Sequence, residues 1–257
     1  MSKNYSTKGG ITLTQTIAFC VQKGGTGKTS STNITAEILH SQGKRVLVVD
    51  LDPQHNLTHS VGVNNPEVSI ADVLTKTADT SSAIYKTRAG YAILPASRDL
   101  FKHQTDIAHD TLVKAIAPLK SYFDYILIDC PPALSSLSIN GLYAADKVVI
   151  PVIPGNFCDL ALVDTLNTIG TINAQAAKTM VSGILVTLYN KRSNLDKMML
   201  TKYTEIATKY GTKIFDAKIR QCQKIKEAQV LGESILDYAP KSNAVIDYNA
   251  FVKALCE

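Results

Sequence analysis

The segment TIAFCVQKGGTGKTSSTNITAEILHS, residues 16–41, constrains the chain more than any other. An apolar run of strand composition leads into a turn holding three glycines, and a helical pattern follows. Gly24, Gly25 and Gly27 have no Cβ atoms to keep the chain from wrapping an anion. Their N–H groups, together with the positive end of the next helix, suit a phosphate. Lys28 follows the third glycine, within reach of β- and γ-phosphates, and the Thr29 hydroxyl is placed to ligate Mg²⁺. A glycine turn that only caps a helix leaves this Lys-Thr pair unexplained. Thr26 and Ser30 complete the expected nucleotide contacts. The ordinary form of such a loop has a glycine where this chain has Gln22, with Lys23 beside it.

Apolar runs recur at 45–50, 91–94, 125–129, 147–152 and 180–188, with a candidate seventh strand at 213–219. They are rich in Val and Ile and mostly do not alternate with polar residues, as expected of parallel strands buried on both faces. Helical patterns at 28–42, 108–120, 159–175, 194–209 and 242–255 lie between them. The alternation predicts an α/β fold, a doubly wound, mostly parallel twisted sheet with helices on both faces. The chain has 257 residues, 45% of them hydrophobic, enough for one sizeable core. One domain is expected over 15–257, preceded by a loose polar arm at 1–14.

Two acidic segments complete the chemistry. RVLVVDLDPQHNLT ends an apolar run with Asp50 and Asp52, which would share a face if the segment stayed extended. YFDYILIDCPP ends another with Asp129. Carboxylates at the carboxyl ends of strands stand where an α/β sheet binds its ligand.

Other chemistries lack residues. Five scattered cysteines form no C-x-x-C pair and no zinc spacing with the histidines, and they read as reduced packing residues. No apolar run approaches the roughly 18 residues of a membrane span, and the amino-terminal residues resemble no secretory signal, so a cytoplasmic protein is expected. The net charge of +5 is uneven: residues 191–226 carry ten Lys and Arg against three Asp and Glu, leaving −2 for the remainder. A basic stretch on a mildly acidic body suggests a polyanion partner.

With Lys23 read as the first residue, K-G-G-T-G-K-T resembles the deviant Walker A group of P-loop ATPases, which includes ParA, MinD and the nitrogenase iron protein. The resemblance runs from about Gln15 to Leu255 and is greatest to small ParA-type partition ATPases, through DLDPQ, DCPP, IPVIPGNFCDLALV, VTLYNKRSN and the carboxy-terminal YAPKSNAVIDYNAFVKAL. Asn156 and Ala239 stand where that family commonly has acidic residues. The resemblance implies ATP/ADP and Mg²⁺ as cofactors and a homodimer with two ATP molecules between its protomers. Lys23 would act across that interface and Lys28 within its own site. Asp52 would position the attacking water, Asp50 support the metal and loop through hydrogen bonds, and Asp129 hold Mg²⁺ through water. Asn190 would contact the base. Lys191, Arg192, Arg220, Lys224 and Lys241 would bind non-specific DNA in the ATP state, making the protein nucleoid-associated, and a ParB-like or small centromere-binding protein would stimulate its release. A MinD-like switch acting on a membrane or protein cargo is the alternative. Its basic terminal anchor is missing from NAVIDYNAFVKALCE, which reads as a docked helix, so no membrane partner is expected.

Overall fold

The computed structural model describes residues 13–103, 105, 107–175 and 179–257. Seven strands form one sheet: β1 (Gln15–Phe19), β2 (Val46–Asp50), β3 (Tyr85–Lys86), β4 (Ala92–Leu94), β5 (Tyr125–Asp129), β6 (Lys147–Val152) and β7 (Met180–Val186). Their order is β3-β4-β2-β5-β1-β6-β7, and every pair is parallel except β3 with β4. The expected α/β sheet is therefore the observed one. Residues 1–12 of the arm expected at 1–14 lie outside the described residues.

Successive residues of the central strands feed two separate cores. Ala18, Leu47, Val49, Ile126 and Ile128 pack on one side of the sheet. Ile17, Phe19, Val46, Val48 and Leu127 pack on the other. This explains why the strands read as unbroken apolar runs: each side chain gains about 1.5–3 kcal/mol from burial whichever way it points.

Helices cover both faces. α1 (Lys28–Ser41) and α10 (Asn243–Cys256) pack in the second core, where Phe251 stacks edge-on against Phe19 and Phe215. α5 (Ser136–Ala144), α6 (Cys158–Gln175) and α7 (Asn194–Lys209) pack in the first. The apolar face of α10 (Val245, Tyr248, Phe251, Val252 and Leu255) is spent inside the protein.

Two expected elements differ. The helix at 108–120 is a short α4 (Thr111–Ile116) followed by a 3-10 turn at Ala117–Leu119, because Pro118 cannot continue the hydrogen-bond ladder. The segment 213–219 runs along β7 but forms no strand. It bridges Ile184 to Ile214 and Tyr189 to Arg220. Six steps on one side thus meet five on the other, and the extra residue breaks the ladder. The seventh strand is instead β3, a two-residue hairpin partner of β4. The remaining helices are α2 (Asn56–Ser60), α3 (Ile70–Leu74), α8 (Gln223–Leu231) and α9 (Ile235–Tyr238).

One buried network ties α1 to the start of α9 and to Tyr91. Glu37 on α1 accepts hydrogen bonds from Asn33 Nδ2 (2.9 Å), Ser234 Oγ (2.7 Å) and the Ile235 N–H (3.1 Å). The Tyr91 hydroxyl completes it by donating to Asn33 Oδ1. Burial pushes the Glu37 carboxyl from near 4.5 up to about 7, against the pull of those three donors. The folded protein then binds a proton between these values that the unfolded chain has released, so stability falls as pH rises from about 4.5 through 7. The whole effect is roughly 3 kcal/mol at most. Glu37→Gln is expected to flatten this slope: its melting temperature should change less than the wild type's between pH 5 and pH 7.5.

Candidate functional site

β1, β5 and β2 are adjacent, so the loops after them meet at one edge of the sheet. The loop after β1 holds the glycines. Gly25 and Gly27 have φ of 73° and 81°, left-handed values that favour glycine. A Cβ on Gly24 or Gly25 would meet nothing within 4 Å, so the cradle stands open. Gly27 precedes α1 and supplies no side-chain cap, and no acidic residue lies in the first turn. The helix thus presents uncompensated N–H groups and its positive end to the cradle. Thr187, just beyond β7, steadies the loop by donating its hydroxyl to the Thr26 carbonyl (2.8 Å). Gln22, in the place of the missing glycine, is fastened to α6: its N–H donates to Thr165 Oγ1 and its side-chain amide to Thr168 Oγ1.

Both lysines are held by backbone carbonyls. Lys28 is 6% exposed, and its Nζ donates to the Lys23 carbonyl at 2.6 Å. Lys23 donates to the Asn156 carbonyl, with its Nζ 6.0 Å from the centre of the Phe157 ring. Phe157 itself has a left-handed φ of 63° and is 70% exposed.

The carboxylates divide their roles sharply. Asp50 and Asp129 are register neighbours on β2 and β5, both buried. Asp50 is fully engaged: Oδ1 accepts the Asp52 N–H (3.1 Å), and Oδ2 accepts the Thr58 N–H (3.0 Å) and hydroxyl (2.7 Å). Asp129 is the opposite case, with neither oxygen in a well-formed hydrogen bond. Burial and the neighbouring Asp50 raise its pKa well above the carboxylate range, although Thr29 and Lys28 pull it down. Burial likewise pushes Asp50 up, to about 6. Asp52 lies beyond the end of β2, half-buried, and accepts the Gln54 N–H at 3.0 Å. β2 ends at Asp50, so Asp52 is carried by the loop leading into α2 and not by an extended strand. A buried carboxylate with no well-formed hydrogen bond, beside Thr29 and an open anion cradle, fits a divalent cation accompanied by phosphate.

Lys28 and Asp52 open on a cleft of about 1000 Å³, which Lys23, Asp50 and Asp129 do not line. Its lining includes the glycine loop, Lys28, Thr29, Ser30 and Asp52, and extends past Thr187, Leu188 and Ile219 to α8. Gly24, Gly25, Thr26, Gly27, Lys28, Thr29, Ser30 and Asp52 thus come together at one mouth. Asn190 is exposed and outside this lining. Its side-chain oxygen accepts the Arg192 N–H (3.0 Å), and its own N–H donates to Asp196.

The basic stretch does not form one unpaired face. Lys202 is bonded to Asp159, and Lys218 to the Phe215 and Asp216 carbonyls. Arg220 grips Asp247 of α10 through its backbone N–H, Nε and a terminal nitrogen. Lys224 pairs with Glu227 and lies 5.6 Å from the Tyr238 ring centre. Lys191, Arg192 and Lys241 are exposed. Sequence reasoning gave no part to Thr187, Gln229 or Thr58. Of these only Thr58 had a local signal, as the last residue of DLDPQHNLT.

The AAA domain family (AAA_31) matches residues 14–182, which hold the glycine loop and all three carboxylates. The chain belongs to the ParA/MinD superfamily of P-loop ATPases. It is 32% identical to the sporulation initiation inhibitor protein Soj of Bacillus subtilis, over 90% of this chain and 94% of Soj. Among solved structures it resembles the cobyrinic acid a,c-diamide synthase of Mycobacterium smegmatis with bound ATP analogue and magnesium, at 31% identity, 95% coverage of both chains and a TM-score of 0.82. The cell division ATPase MinD of Pyrococcus furiosus matches at 26% identity and a TM-score of 0.78, over 94% of this chain and 98% of MinD. For a ParA/MinD-type ATPase the unsatisfied Asp129 is a cost carried by the ligand-free protein. Asp129→Asn should remove that cost, raising the melting temperature of the ligand-free protein by the equivalent of roughly 1–3 kcal/mol, and should abolish the extra stabilisation that Mg²⁺ adds to ATP.

Proposed function

We propose that the protein is a Mg²⁺-dependent ATPase that dimerises with ATP, binds DNA without sequence preference in that state and leaves it after hydrolysis. The observation that carries the nucleotide part is the buried Asp129, without a well-formed hydrogen bond, beside Thr29 at the foot of an open glycine cradle. The β- and γ-phosphates would take the N–H groups of residues 24–30, and Lys28 would exchange the Lys23 carbonyl for a phosphate oxygen. Thr29 and Asp129 would hold Mg²⁺, which neutralises charge on the phosphates. Asp52, outside the buried pair and open to the cleft, would orient the attacking water. Catalysis is then positioning and charge stabilisation, with no covalent intermediate.

Lys23 lies at the rim of the site, and by its resemblance to the deviant loop would reach the partner's nucleotide. Its bonds to Asn156 and Phe157 are surface contacts that a phosphate can replace. Lys23→Ala is expected to keep nucleotide affinity within about threefold and to lose ATP-dependent dimerisation, read by light scattering. A normal ATP dimer in that variant would exclude the role.

Similarity to the chromosome-partitioning ATPase Soj of Treponema pallidum supports DNA as the surface on which the switch works, and the buried apolar face of α10 leaves that helix without a lipid-facing stripe. Lys191, Arg192 and Lys241 would supply phosphate contacts. Lys224 can join them, since an exposed pair such as Lys224–Glu227 is worth only about 0–1 kcal/mol. Arg220 holds α10 in place and is not counted in the contact set. A ParB-like or centromere-binding partner would stimulate hydrolysis, with plasmid or chromosome segregation as the outcome. The test is retention on non-specific duplex DNA with ATP, ADP or no nucleotide at two salt concentrations. ATP-dependent, salt-sensitive retention that is lost in Arg192→Ala is expected. Equal retention in all nucleotide states, or none, would remove DNA from the function.

A further inference from the structure

The contacts around Asp50 lead to a residue that no motif assigned. Asp50 ends β2, and the chain must then deliver Asp52 to the cleft mouth before entering α2. α2 has only five residues, and its N-cap, His55, makes no side-chain cap. Its early N–H groups need an acceptor from elsewhere. Asp50 provides it by accepting the Thr58 N–H at 3.0 Å. The Thr58 hydroxyl adds a second bond to the same Asp50 oxygen at 2.7 Å and accepts the Ala96 N–H at 2.9 Å. Thr58 is 2% exposed and Asp50 fully buried, so water cannot substitute for any of these bonds.

The other Asp50 oxygen holds the Asp52 N–H, and the Asp52 carbonyl accepts the His55 N–H at 2.8 Å. The loop 51–57 is therefore closed at both ends on one carboxylate. We infer that Thr58 is a positioning residue for the ATPase reaction: with Asp50 and the Ala96 N–H it forms a buried clamp that sets where Asp52 stands relative to the phosphate cradle. Thr58 does not line the cleft, so its effect passes through the loop that carries Asp52. The inference rests on the hydrolase reading and assigns the fixing of its water-orienting carboxylate to Thr58.

Thr58→Val keeps the shape and removes the hydroxyl as donor and acceptor. Thr58→Ser keeps the hydroxyl and removes a methyl group. Turnover of ATP, KM and the affinity for a fluorescent ATP analogue are measured for both with Mg²⁺. In Thr58→Val, kcat should fall about tenfold or more while nucleotide affinity stays within about threefold, since misplacing a group far from the chemistry costs turnover before binding. Thr58→Ser should restore kcat to within about threefold of wild type. Unchanged kcat in Thr58→Val, or equal loss in both variants, would overturn the inference. Should Thr58→Val fail to fold, hydrogen exchange on the wild-type protein decides: the Thr58 amide should be among the slowest outside the sheet, and rapid exchange there would refute the clamp. A wild-type protein without ATP turnover would instead refute the hydrolase reading, with the exchange result still judging the clamp.

Discussion

Asp50 and Asp129 stand side by side in the dry end of the sheet, and much of the site follows from how their charges are accommodated. Neighbouring carboxylates away from water cannot both ionise cheaply. The protein resolves the problem unequally. Asp50 is surrounded by donors from its own loop and becomes part of the scaffold. Asp129, with Thr29 beside it, has no well-formed hydrogen bond and keeps its oxygens for something the chain does not supply. A cation there would repay the cost of burial and would bring the neighbouring Lys28, Thr29 and glycine loop into use around one anion.

The surrounding fold keeps this arrangement stiff. Four separate elements hold the glycine loop and α1 by side-chain bonds: α6 through Gln22, the end of β7 through Thr187, α8 through Gln229 to Ser30, and α10 through Tyr248 to Ser31. Arg220, expected among the surface cations, belongs to this scaffold, since it fastens the segment after β7 to α10. The contacts at the rim are of another kind. Lys23 and the left-handed Phe157 lie at the surface, where a second molecule could replace what they touch. Rigid cradle and exchangeable rim together suit a switch whose partner contacts depend on what the cradle holds.

Much of this was legible in the residues. Gly24 to Thr29 declared the cradle, and Asp129 at the end of YILID lay where the sheet placed it. Six of the seven strands could be read because burial on both faces leaves an unbroken apolar run. The hairpin strand at Tyr85–Lys86 could not, since two residues carry no period. The run at 213–219 had strand composition, but one extra residue against β7 spoiled its ladder, and composition does not count residues on a partner. The site showed the same limit. The side-chain oxygen of Asn190 closes the turn at Arg192, a contact that its position in the sequence did not announce. Thr58 was given no part, and only the three-dimensional path shows it bonded to Asp50.

The most direct test of the central claim is calorimetric titration of the purified protein with ATP, once with Mg²⁺ and once with excess chelator. The account predicts one site per chain in the presence of Mg²⁺ and a loss of affinity of about tenfold or more when the cation is removed, because Asp129 then faces the phosphates unneutralised. Equal affinity with and without Mg²⁺ would contradict the assignment of Asp129, and no binding in either case would contradict the nucleotide site itself.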